Sequence, residues 1–309
     1  MATQLEPLPL PRDARAALRP HASAAPAGAP RPQQSELTVT DAKDLYLGLL
    51  KACLTNRIYG DVELRPVEPR SAWKRRAIGA LERRGLRVVR PEPVDWLERE
   101  LGHDPLPTAH TMIGMARLDN LQVCIEAVLA DGTAGDLIET GVWRGGATIF
   151  MRGVLKAHGV TGRAVWVADS FQGLPPPDDE EFPQDAGDIH HTIEELAVSL
   201  KEVTSNFERY GLLDEQVRFL PGWFRDTLPD APIEQLAVVR LDGDMYGSTM
   251  TALRCLYPKL SIGGFLIVDD YGIHSPGCRR AVNDFRAEHG IREELRWIDW
   301  SGVFWQRIE

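Results

Sequence analysis

The sequence predicts an α/β protein built around a doubly wound, mostly parallel sheet, with a helical segment in front of it and an antiparallel strand at its C-terminal end. Two observations lead to this fold class. From about residue 120 onward, short β-rich runs alternate with helical stretches, which is the pattern of parallel strands joined by helical crossovers. The last two runs, Leu295–Trp300 and Gly302–Ile308, are too close in sequence for a helix between them. They are therefore expected to form an antiparallel hairpin at a sheet edge.

The chain begins with a segment of unusual composition. Residues 1–36 are rich in Ala, Pro and Arg and show no hydrophobic periodicity. Such a segment cannot bury enough apolar surface to offset the entropy lost on ordering, so a disordered tail is expected. A basic tail can also be a targeting or docking element.

Residues 37–119 are predicted to form a helical N-terminal cap and substrate region. Leucines recur at helical spacing between residues 45 and 50, which predicts a first helix. Two further amphipathic stretches span 73–84 and 94–101, with no strand pattern between them. This region is therefore expected to be all-helical, and its apolar faces could pack on a partner subunit in a homo-oligomer.

Residues 120–309 are predicted to form the main domain. Its five parallel strands are expected in the runs DLIETGV, AVWVADS, QVRFLPG, LAVVRLDG and GGFLIVDD. Five parallel strands followed by an edge hairpin indicate the Rossmann-like sheet of class I methyltransferases rather than the all-parallel dinucleotide-binding fold.

The composition limits the partners and the compartment. A net charge of −10 argues against nucleic acid, because phosphate binding needs a concentrated basic surface. The four cysteines form no metal or disulfide pattern, which favours reduced thiols in the cytoplasm. No apolar run is long enough to span a bilayer, so no membrane partner is expected.

A glycine-rich turn, ETGVWRGG, follows the first strand of the main domain. Gly141 in this turn lets the backbone approach a ligand in the crevice beyond the strand ends, although the turn alone also suits a plain strand-to-helix connection. Asp169 ends the next strand, and its carboxylate can accept both ribose hydroxyls of an adenosine ligand. Glu139 suits the methionine ammonium of S-adenosylmethionine better than a pyrophosphate. We therefore predict this cofactor, with aromatic area for its adenine at Trp223.

Two pairs of carboxylates follow the next two strands. Asp242 and Asp244 end one strand, and Asp269 and Asp270 end the other. Adjacent strands would bring these side chains together, and crowded carboxylates repel one another unless a cation neutralises them. Their hard oxygens select Mg²⁺, Mn²⁺ or Ca²⁺. Any single Asp here could instead be a helix cap or a solvated loop residue.

From about Asp44 to its C-terminus, the sequence resembles the macrocin O-methyltransferase family, which methylates sugar hydroxyls on glycosylated antibiotics. The most specific parts of the resemblance are six ordered motifs, which are PTAHTMIG with RLDNL, ETGVWRGG, VADSFQGLP, GLLDEQVRFLPGWFRDTLP, LDGDMYGST and IVDDYG. The family pattern has an acidic residue after Tyr59, where this chain has Gly60, and the tail has no counterpart in the family.

The resemblance implies a Mg²⁺-dependent transfer of methyl from S-adenosylmethionine to a sugar hydroxyl of a small-molecule glycoside. It implies Asp242, Asp269 and Asp270 as metal ligands and Asp244 as general base. Tyr59 and His274 are candidate substrate contacts. Together with the residues already discussed, the predicted cofactor contacts are Met112, Glu139, Gly141, Asp169, Ser170, Trp223 and Asp242.

Two alternatives remain open at the level of the sequence. A metal-dependent O-methyltransferase of catechols or other phenols would use the same sheet, but catechol enzymes carry a lysine base where this chain has Met245. A cofactor-binding protein without catalysis would keep the glycine turn but would not need the complete set of aspartates.

Overall fold

The computed structural model describes residues 42–58, 62–103, 108–272 and 275–309, which belong to one compact unit. The predicted tail, the candidate contact Tyr59 and the candidate contact His274 lie outside the described residues. None of the helices in the described ranges is long and apolar enough to cross a membrane.

The N-terminal part of the described chain contains the predicted helices but also a pair of strands, so the prediction of an all-helical segment is wrong. β1 and β2 pair antiparallel, with Val62 opposite Pro93 and Leu64 opposite Pro91. Their prolines obscured the strand pattern; proline is tolerated here because each strand of a two-stranded sheet has a free edge. The elements are α1 (Ala42–Leu54), β1 (Val62–Pro66), α2 (Ala72–Glu82), β2 (Val89–Pro93) and α3 (Trp96–Leu101).

The main sheet has the strand order β5-β4-β3-β6-β7-β9-β8 and confirms the predicted fold class. It contains β3 (Asp136–Thr140), β4 (Val165–Asp169), β5 (Val217–Pro221), β6 (Leu236–Leu241), β7 (Leu260–Val268), β8 (Arg296–Trp297) and β9 (Val303–Gln306). The first five strands of that order are parallel. β9 pairs antiparallel with both β7 and β8, which is the predicted edge hairpin.

Helices cover both faces of this sheet and bury two hydrophobic cores. Successive strand residues point to opposite faces, so Leu137 belongs to one core and Ile138 to the other. Leu47 and Leu50 of α1 belong to the first core, so the N-terminal helix packs on the main domain. The helices after α3 are α4 (Met115–Ala130), α5 (Gly146–Ala157), α6 (Leu200–Arg209), α7 (Phe224–Thr227), α8 (Tyr246–Leu256) and α9 (Pro276–Glu288).

Candidate functional site

The carboxyl ends of β3, β4 and β6 open into one cavity. Its opposite wall comes from the long connection between β4 and α6, which contributes Leu174, Pro175 and Phe182. The structure brings most of the predicted cofactor contacts together on the cavity wall, beside the predicted base Asp244. These contacts are Met112, Gly141, Asp169, Ser170, Trp223 and Asp242.

The turn after β3 depends on glycine at one position. Gly141 has φ +83°, and a Cβ atom there would overlap the backbone carbonyl oxygen of Asp242. The glycine therefore allows the ends of β3 and β6 to approach each other, in addition to adopting a left-handed backbone conformation. This close approach places the glycine-rich turn directly beside Asp242, the first of the four aspartates.

Asp169 is fixed by backbone donors at the end of β4. Its Oδ2 atom accepts a hydrogen bond from the Val142 amide at 2.8 Å, and its Oδ1 atom accepts one from the Phe171 amide at 2.6 Å. Burial raises the pKa of Asp169, while these hydrogen bonds oppose the rise. The carboxylate thus holds the glycine turn and its own loop in one arrangement at the cavity wall.

Glu139, which the sequence assigns to the cofactor, is not on the cavity wall but buried in β3. Its Oε1 atom pairs with the Arg240 guanidinium, and within the described residues its Oε2 atom has no hydrogen-bond partner. Burial raises the pKa of Glu139 to about 8 even though Arg240 lowers it. A buried carboxylate with one unsatisfied oxygen is suited to receive a cationic group from a ligand.

Three of the four predicted catalytic and metal-binding aspartates lie together. One oxygen of each of Asp242, Asp244 and Asp270 lies within 4.8 Å of the others. Burial, followed by the neighbouring Asp242 carboxylate, raises the pKa of Asp244 to about 8. Burial and like charges also raise the pKa of Asp242 and Asp270 well above the usual range. A divalent cation would relieve this repulsion, so these residues fit a metal.

Asp269 is set apart from this group. Its Oδ2 atom pairs with Arg117, and its Oδ1 atom lies 2.6 Å from Arg240. Burial alone would raise the pKa of Asp269, but the two arginines lower it below the usual range. Its role as a metal ligand stays a prediction, and in this role a carboxylate oxygen would share its lone pairs between an arginine and the cation.

Backbone strain is concentrated around the cavity. Asp244 has φ +53°, and the cavity residue Trp143 and the neighbouring Phe171 also have positive φ. In the described ranges only one further non-glycine residue, Asn56, shares this conformation. Such strain persists only where surrounding contacts determine the backbone, and it is common at functional sites.

Several residues of this site escaped the sequence analysis. Arg117 and Arg240 supply the buried positive charge, and Trp143 adds aromatic surface to the cavity. Arg240 carried a detectable signal, because a lone arginine inside the apolar run LAVVRL needs a buried partner. The local sequence around Arg117 does not reveal its partners, because Asp269 lies 152 positions away.

The chain is similar to several known O-methyltransferases. Residues 43–307 match the family model of the macrocin O-methyltransferases (TylF). A tetracenomycin-C 4′-O-methyltransferase of Streptomyces olivaceus, whose substrate is named as an 8-demethyl-8-(2,3-dimethoxy-α-L-rhamnosyl) derivative, is 53% identical over 86% of this chain and 94% of its own. The mycinamicin III 3″-O-methyltransferase of Micromonospora griseorubida is 51% identical over 85% and 96%. The solved structure of the O-methyltransferase NovP is 46% identical, with a TM-score of 0.75, over 86% of this chain and 100% of its own.

Proposed function

Because the chain belongs to the macrocin O-methyltransferase family, and is therefore an S-adenosylmethionine-dependent methyltransferase, we propose that it methylates a sugar hydroxyl of a glycosylated natural product in antibiotic biosynthesis. We further propose that the reaction needs Mg²⁺ or another divalent cation. The observation that carries the proposal is the cavity that joins the cofactor contacts to Asp242 and Asp244, which form the aspartate group with Asp270. Family membership removes the alternative of a protein without catalysis.

The proposed cofactor site uses the two loops that Asp169 holds together. Asp169 accepts the ribose hydroxyls, and Trp223 offers its ring to the adenine. Gly141 leaves room for the methionine part, with Met112 and Ser170 beside it on the wall. The unsatisfied Oε2 atom of Glu139 supports its assignment to the methionine ammonium.

The proposed cation ligands are Asp242, Asp269 and Asp270. Crowding in the group favours a cation at Asp242 and Asp270, whereas both oxygens of Asp269 already contact an arginine. When bound, a divalent cation lowers the pKa of a neighbouring hydroxyl and neutralises the surrounding carboxylates.

The proposed base is Asp244, which lies on the cavity wall at the end of β6. Asp244 takes the proton of the acceptor hydroxyl while that oxygen forms a bond to the sulfonium methyl and the carbon–sulfur bond breaks. S-adenosylhomocysteine leaves with the sulfur electron pair. The cavity walls contribute by holding oxygen, methyl carbon and sulfur in line, which lowers the entropic part of the barrier.

The experiment is methyl transfer from labelled S-adenosylmethionine to deoxysugar glycosides and to simple catechols, each with Mg²⁺ and with EDTA. We expect metal-dependent methylation of a glycoside. Activity on catechols alone would overturn the sugar assignment in favour of the phenolic alternative. Activity unchanged by EDTA would overturn the metal assignment.

Variants test the role of Asp244 in the same assay. Asp244→Asn should lower kcat by about a hundredfold or more because the general base is lost. Its dissociation constant for S-adenosylmethionine should change little. The matched control is Asp230→Asn, which changes an exposed aspartate outside the cavity and should leave kcat unchanged.

We also propose that the enzyme acts in the cytoplasm and as a homo-oligomer. Its four cysteines are free, which suits a reducing compartment. Leu45 and Leu49 of α1 are exposed and offer apolar surface to a partner subunit. Light scattering on the purified protein would measure the oligomeric state.

A further inference from the structure

Helix α8, which follows the loop with Asp242 and Asp244, has no side-chain cap from its own N-cap residue. Met245 stands at the N-cap of α8 and makes no side-chain hydrogen bond there. Asp185, 61 positions before Tyr246, supplies the cap instead. Its Oδ1 atom accepts the Tyr246 amide at 2.6 Å, and its Oδ2 atom accepts the Gly247 amide at 2.8 Å. Both oxygens of this buried carboxylate are therefore used on backbone donors that would otherwise be unsatisfied.

The packing around Asp185 leaves little room for adjustment. A Cβ atom at Gly247 would lie 2.6 Å from the Phe182 ring, and one at Gly277 would lie 2.8 Å from Oδ1 of Asp185. Hence the Pro183–Asp185 turn, the start of α8 and the start of α9 are in direct contact. A displacement of this turn would move the beginning of α8.

The start of α8 lies directly after the strained Asp244. The left-handed backbone of Asp244 is held on one side by its amide, which donates to Asp270 Oδ2 at 3.1 Å. On the other side its carbonyl accepts the Cys278 amide, also at 3.1 Å. Asp185 fixes Tyr246 and Gly247, which follow Asp244 by two and three positions. A strained conformation persists only when its surroundings determine it in this way.

We propose that Asp185 is a positioning residue for methyl transfer, which holds the Asp242–Asp244 loop in the conformation that brings its carboxylates to the cation and the acceptor. This inference rests on the proposed function. Asp185 belongs to the long connection that forms the opposite cavity wall, so its two hydrogen bonds join that wall to the start of α8.

The test compares Asp185→Ala and Asp185→Asn with wild type. Mn²⁺ binding measured by calorimetry is the probe, alongside kcat, the dissociation constant for S-adenosylmethionine and the melting temperature. Asp185→Ala should weaken Mn²⁺ binding and lower kcat, each by about tenfold, as expected for a residue that orients metal ligands. Cofactor affinity should fall less than Mn²⁺ affinity, because the Asp169 loops are intact and Asp242 is the one predicted cofactor contact in the loop that Asp185 holds. The Mn²⁺ affinity and kcat of Asp185→Asn should lie between those of wild type and Asp185→Ala, because the carboxamide oxygen still accepts a hydrogen bond from one backbone amide.

A matched control separates positioning from simple capping. Ser199→Ala removes the side-chain cap of α6, where the hydroxyl accepts the Glu202 amide. It should lower the melting temperature without changing Mn²⁺ binding or kcat. If Asp185→Ala behaves like this control, the inference is wrong and the proposed function stands. If wild type binds no Mn²⁺, the proposed metal site is wrong and this inference falls with it. Should Asp185→Ala fail to fold, unchanged Mn²⁺ affinity and kcat in Asp185→Asn would overturn the inference.

Discussion

At the scale of single residues, the site is governed by a conflict between negative charges. Asp242, Asp244 and Asp270 lie close enough to repel one another, whereas Asp269 is neutralised by two arginines. Asp269 and Asp270 are adjacent in the sequence, yet their pKa values shift in opposite directions. Burial, followed by the Asp244 and Asp269 carboxylates, raises the pKa of Asp270, whereas Arg117 and Arg240 lower the pKa of Asp269 despite its burial. The first three carboxylates need a cation to be charged together at neutral pH.

Cation binding should therefore depend on pH. Without a cation the pKa of Asp244 lies at about 8, so below that pH a proton must leave before or as the cation binds. We expect Mn²⁺ affinity to rise as the pH increases from about 6.5 through about 8, with proton release on binding, because the pKa values of Asp242 and Asp270 are raised as well. Calorimetry in buffers of different ionisation enthalpy measures both quantities. Asp244→Asn should reduce the slope, and an affinity independent of pH would contradict the prediction.

Gly141 is the residue where a single methyl group should do most harm to the cofactor site. Gly141→Ala places a Cβ on the Asp242 carbonyl oxygen and should lower the free energy of unfolding by about 2 kcal/mol or more. Gly132→Ala is the matched control, because Gly132 also has positive φ but has open space around it. It should cost only about 1 kcal/mol. Equal losses in denaturant titrations would show that the contact with Asp242 is unimportant.

At the scale of secondary-structure elements, one arginine joins three parts of the fold. Arg117 of α4 pairs with Asp269 after β7 and, at 2.7 Å, with Asp299 between β8 and β9. All three side chains are buried, so the ion pairs are shielded from solvent. Removing one partner of a buried pair leaves uncompensated charge, which costs more than the pair itself contributes.

Arg117→Met should accordingly lower the free energy of unfolding by about 3 kcal/mol. The matched control is Arg152→Met, which breaks a 2.5 Å pair with the partly exposed Asp214. Because water can hydrate the Asp214 carboxylate once its partner is removed, the control should lower the free energy of unfolding by only about 1 kcal/mol. Chemical denaturation measures both values, and a loss in Arg117→Met no larger than in the control would contradict the argument.

At the scale of the whole molecule, the first 36 residues differ from the rest of the chain in composition and precede the family match, which starts at residue 43. Deleting residues 2–36 should leave the melting temperature unchanged and kcat/KM within about twofold, because a segment rich in Ala, Pro and Arg offers little apolar surface for folding. Thermal melts and the methyl-transfer assay check this. A clear loss of activity would instead indicate that the tail takes part in docking the substrate or a partner.

The alternation of β-rich runs with helical stretches was sufficient to predict the sheet and the hairpin of β8 and β9. It was also sufficient to bring Gly141, Asp169 and Asp242 to one cavity, because parallel strands end at the same edge of a sheet. The pair β1 and β2 was missed because proline obscures strand alternation. Glu139 is predicted from its place in the motif to contact the methionine ammonium; this stays a prediction, and its side chain is buried against Arg240.

The sequence by itself determined the fold class and the edge of the sheet where the site lies, because both follow from local patterns of apolar residues and from what stands at strand ends. Only the tertiary structure decided which aspartates share a group, that Asp269 is held by two arginines, and that Asp185 caps α8. These contacts join residues far apart in the chain. They leave no periodic trace in the sequence, since burial and charge pairing depend on which surfaces meet after the chain has folded.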